Sequence, residues 1–205
     1  MLPERRSHWE AVYRDKAENQ VSWFQERPAI SFDLITRDGL QKDAPIIDIG
    51  GGASRLVDLL LDAGFSNVTV LDIAESALER SRARLGARAS EVSWIVADVT
   101  TWTPPRQYKV WHDRAALHFL VDPAARAAYR SVMLCAVEPG GLVVIATFAE
   151  DGPERCSGLP VQRFSPASLA AELGGEFQLI DSMREEHRTP GSTTQRFQFS
   201  RFRRL

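Results

Sequence analysis

The chain has 205 residues, with 25 Lys and Arg against 27 Asp and Glu and a formal charge of −2. A length near 200 favours a single domain, here 1–205, whose core needs no disulfide or structural metal. The near balance of charge speaks against a nucleic-acid partner, because such binders carry a clear basic excess. Two cysteines, Cys135 and Cys156, cannot build a disulfide framework and lack the spacing of a zinc site, so no metal is expected. A reducing cytosol is the simplest setting. The N-terminal stretch is charged and has no apolar leader core. No run approaches the ~18 apolar residues of a membrane span, so no membrane partner is expected. Composition leaves the chemistry and the oligomeric state open.

In chain order, Trp9, Val12 and Tyr13 fall at i, i+3 and i+4, which predicts a short amphipathic helix. Val21-Ser22-Trp23-Phe24 follows. Residues 1–40 read as an aromatic cap that packs over a sheet or closes a site. Residues 45–49 form a β-branched run that ends in Gly50-Gly51-Gly52. Residues 54–64 read as a largely buried helix with Arg55, Asp58 and Asp62 on one wet stripe. Strands are predicted at 68–71, 92–97, 108–112 and 142–148, and helices at 75–85 and 123–137. This rhythm means parallel βαβ units with helices on both sheet faces. After Phe148 come a loop, a short helix at 166–173 and two strand-like runs, 177–183 and 194–202. Thr189-Pro190-Gly191-Ser192 joins those runs into an antiparallel hairpin.

Ligands of such α/β sheets bind beyond the carboxyl ends of the strands. Gly50 and Gly52 fit the first two positions of a G-x-G-x-x-G turn, but Arg55 stands at the third. Asp72, 22 residues beyond Gly50, is placed to accept bonds from ribose hydroxyls or to cap the next helix. Asp98 ends the third strand, where an acid either accepts a bond from an adenine amino group or is a solvated loop residue. Asp48, Asp72, Asp98 and Asp113 thus put one acid near each of four successive strand ends.

The ordered set Asp48-Ile49-Gly50-Gly51-Gly52, Leu71-Asp72, Ala97-Asp98-Val99 and Glu138-Pro139-Gly140-Gly141 resembles the class I S-adenosylmethionine-dependent methyltransferases. The resemblance implies an α/β, Rossmann-like three-layer sandwich. Its seven-stranded, mostly parallel sheet would close with an antiparallel C-terminal hairpin. Residues 45–148 would be the donor-binding core, and 149–205 would supply an acceptor loop, a helix and the hairpin. It implies S-adenosyl-L-methionine as cofactor, with Asp48, Gly50, Gly51 and Gly52 near its methionine part. Asp72 and Ile73 would lie at the ribose, Asp98 and Val99 at the adenine, and Asp113 beside the donor. Trp111-His112-Asp113-Arg114-Ala115 looks like the Trp-Asp-Arg-Gly segment of thiopurine-type methyltransferases, with Ala115 in place of Gly. It is also similar to the Asp-Lys-Gly of seven-strand protein lysine methyltransferases. His8-Trp9-Glu10 leading to Trp23-Phe24-Gln25 is similar to the thiopurine prefix.

Methyl transfer from a sulfonium is an in-line displacement, accelerated by holding the two partners at near-attack distance. Trp9, Tyr13 and Trp23 could offer aromatic faces to the cation, and equally could be packing residues. With Arg114 and Cys156 they are the candidate substrate contacts. An oxygen or amine acceptor would need a base. Asp113 and His112 are the candidate catalytic residues, with His118 and His187 behind them; each histidine is as well explained by packing or a solvated loop. The expected function is methylation of a small-molecule acceptor such as a thiol or other soft nucleophile. Protein lysine methylation is the alternative. An NAD-dependent oxidoreductase is disfavoured by Arg55 at the third glycine position and by Asp98.

Overall fold

The computed structural model describes residues 2–205. The strands are β1 (Ile46–Ile49), β2 (Val68–Asp72), β3 (Val92–Val96), β4 (Tyr108–Arg114), β5 (Val137–Phe148), β6 (Arg155–Cys156), β7 (Leu159–Pro160), β8 (Phe177–Arg188) and β9 (Thr194–Arg204). The helices are α1 (Leu2–Asp15), α2 (Ala29–Thr36), α3 (Leu56–Asp62), α4 (Glu75–Leu85), α5 (Pro123–Ala136) and α6 (Pro166–Leu173). Seven strands make one sheet in the order β3-β2-β1-β4-β5-β9-β8. β1 to β5 are parallel, and β9 lies antiparallel to both β5 and β8. The expected architecture is therefore present, including the closing hairpin.

Helices cover both faces of this sheet, and alternation along each strand sends neighbouring side chains to opposite sides. On one side Ile46, Val110 and Val144 pack with Leu34 of α2 and Leu60 of α3. On the other Ile47, Trp111 and Val143 pack with Tyr129 and Met133 of α5 and Leu169 of α6. Strand order reverses at β1, which has β2 on one flank and β4 on the other. That reversal opens a crevice beyond the carboxyl ends of β1 and β4.

Three features differ from the sequence reading. Helix α2 was not expected, although Ile30 and Leu34 stand one turn apart and Leu34 and Ile35 are buried. The strand expected from 142 begins at Val137. Val137 pairs with Tyr108 and Leu142 with Val110, so the intervening residues bulge out of register, with Gly140 at φ +73°. The loop after β5 holds the small hairpin β6–β7, in which Cys156 pairs with Leu159.

Candidate functional site

The turn after β1 is shaped by glycine. Gly50 has φ +64° and Gly52 φ +38°, a region that side chains with a Cβ avoid. A Cβ on Gly50 would stand 2.8 Å from the Cβ of Ala116, and one on Gly52 would stand 2.7 Å from Asp72 Oδ2. The turn thus lets β1, the end of β2 and the chain after β4 converge. Gly52 itself is closed off against Asp72 and Tyr13 and lines no cavity. Arg55, at the third fingerprint position, turns away to pair with Glu18 at 2.9 Å and with Glu26.

Beyond this turn lies a cavity of about 110 Å³. Its wall includes Gly50, Asp72, Ile73, Asp98 and Val99 together with Trp9, Trp23, Phe119, Cys156 and Phe197. Ring centroids of Trp9 lie 5.6 Å from Trp23 and 4.8 Å from Phe119, both edge to face. Tyr13 and Arg114 complete the wall. A smaller neighbouring cavity includes Asp48, Gly51 and His112 in its lining and shares Tyr13, Trp23, Gly50 and Arg114 with the first.

Asp72 accepts a bond from the Ala74 amide at 2.8 Å through Oδ1. Burial, reinforced by the charge of Asp48, lifts its carboxyl to about 7. Asp72 lines the cavity and does not cap α4, whose N-cap position is Ala74. Asp98 accepts from the Thr100 amide at 2.9 Å and pairs through Oδ2 with Arg5 of α1 at 2.9 Å. Helix α1 is also held by Arg6, which donates to Ile73 O at 3.0 Å. Glu10 accepts from the amides of Glu75 and Ser76 at 2.7 and 3.2 Å, placing a carboxylate on the N-terminus of α4. Arg5, Trp9, Tyr13 and Trp23 of the prefix thus line the cavity. Arg5, Phe119 and Phe197 were missed. Phe119 and Phe197 carry ordinary core spacing, and nothing local distinguishes Arg5 from other N-terminal arginines.

The candidate bases need correction. Asp113 is fully buried on the α5 side of the sheet and does not line the cavity. Its Oδ2 accepts from the Tyr129 hydroxyl at 2.7 Å, and its Oδ1 from the Ala116 amide at 2.8 Å. Tyr129 accepts in turn from Trp111 Nε1 at 2.8 Å. Asp113 clamps the turn after β4 from beneath, and burial raises its carboxyl to about 6.

His112, one residue earlier, points the opposite way. It bonds Asp48 Oδ1 at 2.6 Å and Ser31 Oγ at 2.9 Å, all three side chains being buried. Both ring nitrogens are engaged, one by a carboxylate and one by a hydroxyl. His118 is enclosed by Phe119 and Phe148, and burial, with the nearby Arg114 charge, lowers it to about 3. His187 bonds the Ser22 carbonyl at 2.8 Å, and burial lowers it as well.

Arg114 ends β4 on the cavity side. Its side chain is 10% exposed and its guanidinium carbon lies 4.2 Å from the centre of the Phe197 ring. Next to it, Ala115 has φ +74°, at the position where the resembling segment carries Gly. An alanine there is strained by about 1 kcal/mol. Among the described residues, no group of three or more His, Cys, Asp or Glu is arranged to hold a metal ion, and no helix is long and apolar enough to cross a membrane.

A family model for a methyltransferase domain matches residues 46–141. The chain is 20% identical over 139 residues to the mouse (Mus musculus) eEF1A lysine and N-terminal methyltransferase, covering 67% of this chain and 20% of that protein. It is 30% identical over 122 residues to a trans-aconitate 2-methyltransferase of Methylobacterium radiotolerans, covering 58% and 44%. The chain thus spans less than half the length of these two curated relatives. A SAM-dependent methyltransferase from Anabaena variabilis superposes with a TM-score of 0.77 at 12% identity, covering 100% of this chain and 95% of that one. Sheet order, switch-point cavity and the matched domain agree: this chain has the fold of the class I S-adenosylmethionine-dependent methyltransferases.

Proposed function

We propose that the protein transfers a methyl group from S-adenosyl-L-methionine to a small-molecule acceptor. The observation that carries this reading is a cavity at the strand-order reversal whose wall combines the carboxylates of Asp72 and Asp98 with the rings of Trp9, Tyr13, Trp23, Phe119 and Phe197. The residues present fit the donor. Asp72 and Asp98 offer carboxylates to a ribose and an adenine amino group. The close packing at Gly50 leaves no room for a side chain where the backbone must approach a ligand. Asp48 and Gly51 face the adjoining cavity, on the side proposed for the methionine part. When bound, the donor supplies an electrophilic methyl on a sulfonium. Trp9, Tyr13 and Trp23 present ring faces and edges to that region, and aromatic faces attract a cation.

Beside the aromatic rings of the cavity wall, the Cys156 thiol and the Tyr13 phenol keep their protons. Burial pushes the Cys156 thiol up to about 11 and raises the Tyr13 phenol further. An acceptor must therefore arrive already nucleophilic, as a thiolate or another group ionised near neutral pH. Exclusion of water and alignment by the aromatic wall are then the main contributions of the protein. The trans-aconitate relative acts on a small molecule by its name, which supports this class of acceptor. The mouse relative's name favours a protein lysine instead, but a lysine amine entering this cavity would meet the Arg114 cation. Two unpaired cysteines fit a reducing cytosol.

The test is incubation of the purified protein with methyl-labelled donor, separately with a small-molecule panel and with cell protein. Label in the small-molecule fraction is expected. Label confined to a protein band would overturn the acceptor class. Failure to bind S-adenosylhomocysteine would overturn the donor.

A further inference from the structure

Arg114 is the least satisfied charged group in the cavity wall. Its NH1 donates to the Trp23 carbonyl at 3.2 Å and its NH2 to Glu185 Oε2 at 3.4 Å, both long for a guanidinium. Its Nε is buried and has no partner. Glu185 does not answer this cation fully, because its other oxygen accepts from Gln25 Nε2 at 2.7 Å. A buried guanidinium with an idle N–H is costly unless something completes its hydrogen bonding. Arg126, Arg201 and Arg204 also bury an Nε without a hydrogen-bond partner, but among these four arginines only Arg114 lines the cavity.

Its position in the sheet separates it from the acids assigned to the donor. Asp98 and Asp72 follow β3 and β2, on one side of the strand-order reversal. Arg114 ends β4, and its neighbours Phe197 and Glu185 belong to β9 and β8, on the other side. The space beside it is walled by Phe119, Cys156 and Phe197. A flat or apolar body fits those walls. A planar anion fits the guanidinium fork, which matches carboxylate geometry.

Building on the methyltransferase reading, we infer that the acceptor is a small carboxylic acid whose carboxylate is held by Arg114. Arg114 is the specificity residue, and Glu185 is its competitor within the protein. A ligand carboxylate takes up the free Nε–H and shifts the guanidinium away from Glu185. The neutral amide of the same ligand cannot balance the buried charge and is rejected.

The experiment uses the full chain saturated with S-adenosylhomocysteine. Benzoate, thiosalicylate and trans-aconitate are titrated by calorimetry beside their primary amides, with wild type, Arg114→Gln and Glu185→Gln. At least one acid is expected to bind the wild type tenfold or more tightly than its amide. Arg114→Gln should bring the acid down to the amide, and Glu185→Gln should tighten acid binding threefold or more by freeing the guanidinium. The Glu185 variant keeps the test decisive if the Arg114 variant folds poorly, as judged by its melting curve. Amides binding as well as acids, or neither binding, would overturn the inference. So would Arg114→Gln weakening S-adenosylhomocysteine as much as the acid, which would make the donor's own carboxylate the partner of Arg114. Failure of wild type to bind S-adenosylhomocysteine refutes instead the reading on which the inference rests.

Discussion

On the proposed donor reading, Asp72 links the pH of the solution to occupancy of the cavity. Its carboxyl is raised from 3.8 to about 7, first by burial and then by the charge of Asp48. In the free protein the shift works against stability as pH rises. The native state keeps a proton that the unfolded chain has lost, so stability falls between about pH 4 and about pH 7, by roughly 4 kcal/mol at 1.36 kcal/mol per unit. If Asp72 meets the ribose as proposed, a hydroxyl donates to its ionised form, so donor binding has the opposite slope. At pH 8 about nine-tenths of Asp72 is already charged, and at pH 6 about one-tenth. Binding at pH 6 must first remove the proton. Affinity for S-adenosylhomocysteine should therefore fall about tenfold from pH 8 to pH 6, or about 1.4 kcal/mol. Calorimetry across that range reads it directly. Asp72→Asn keeps an acceptor oxygen and has no titration, so its weaker affinity should be flat. A flat wild-type profile, or a slope that survives in Asp72→Asn, would show that this carboxylate does not meet the donor.

Four other outcomes follow from the same geometry. Gly52→Ala places a Cβ 2.7 Å from Asp72 Oδ2 at a positive φ; donor affinity should drop at least about tenfold, and unchanged calorimetry would refute the close approach. Tyr129→Phe removes the hydroxyl shared by Asp113 and Trp111, and urea unfolding should show a loss of about 1–3 kcal/mol; a loss under about 0.5 kcal/mol contradicts the clamp. Ala115→Gly relieves the left-handed alanine at some cost in backbone entropy, so stability should stay level or rise by up to about 1 kcal/mol; a lowered melting temperature speaks against strain there. Arg5→Ala breaks a pair whose side chains are 28% and 12% exposed. Stability should change by less than about 1 kcal/mol, while stopped-flow dissociation of S-adenosylhomocysteine becomes faster; an unchanged rate would mean that α1 does not restrain the ligand.

The periodic part of the fold was legible because each parallel strand centres on a short, mostly apolar run bounded by turn residues. Asp48, Asp72 and Asp98 were legible because strand ends in such a sheet meet at one edge. Asp113 was misjudged by the same rule. Strand-end position is shared by all four acids, but the pleat decides the side on which each emerges. His112 and Asp113 are adjacent and face opposite layers, one toward Ser31 and the other toward Tyr129. Sequence spacing holds that parity only when the strand's last residue is known, and here β4 runs two residues past the expected end. Helix α2 was obscured by its company: Trp23 and Phe24 drew the whole prefix into one aromatic cap, and its helical pattern spans little more than two turns. The contact of Arg5 with Asp98 spans 93 positions and has no local trace.

That contact ties the N-terminal helix to the floor of the cavity. Asp98 has two oxygens, one turned to Thr100 and one to Arg5. A ligand that draws on the second oxygen changes the grip on α1, and loosening α1 changes what that oxygen offers the ligand by the same factor. Arg6 on Ile73 and Glu10 on α4 set how much of the helix yields at once. Affinity at the floor and mobility at the roof are thus a single quantity in this chain. Either can be tuned by substitutions on the outer helix, more than ninety residues away in sequence, without touching the reacting atoms.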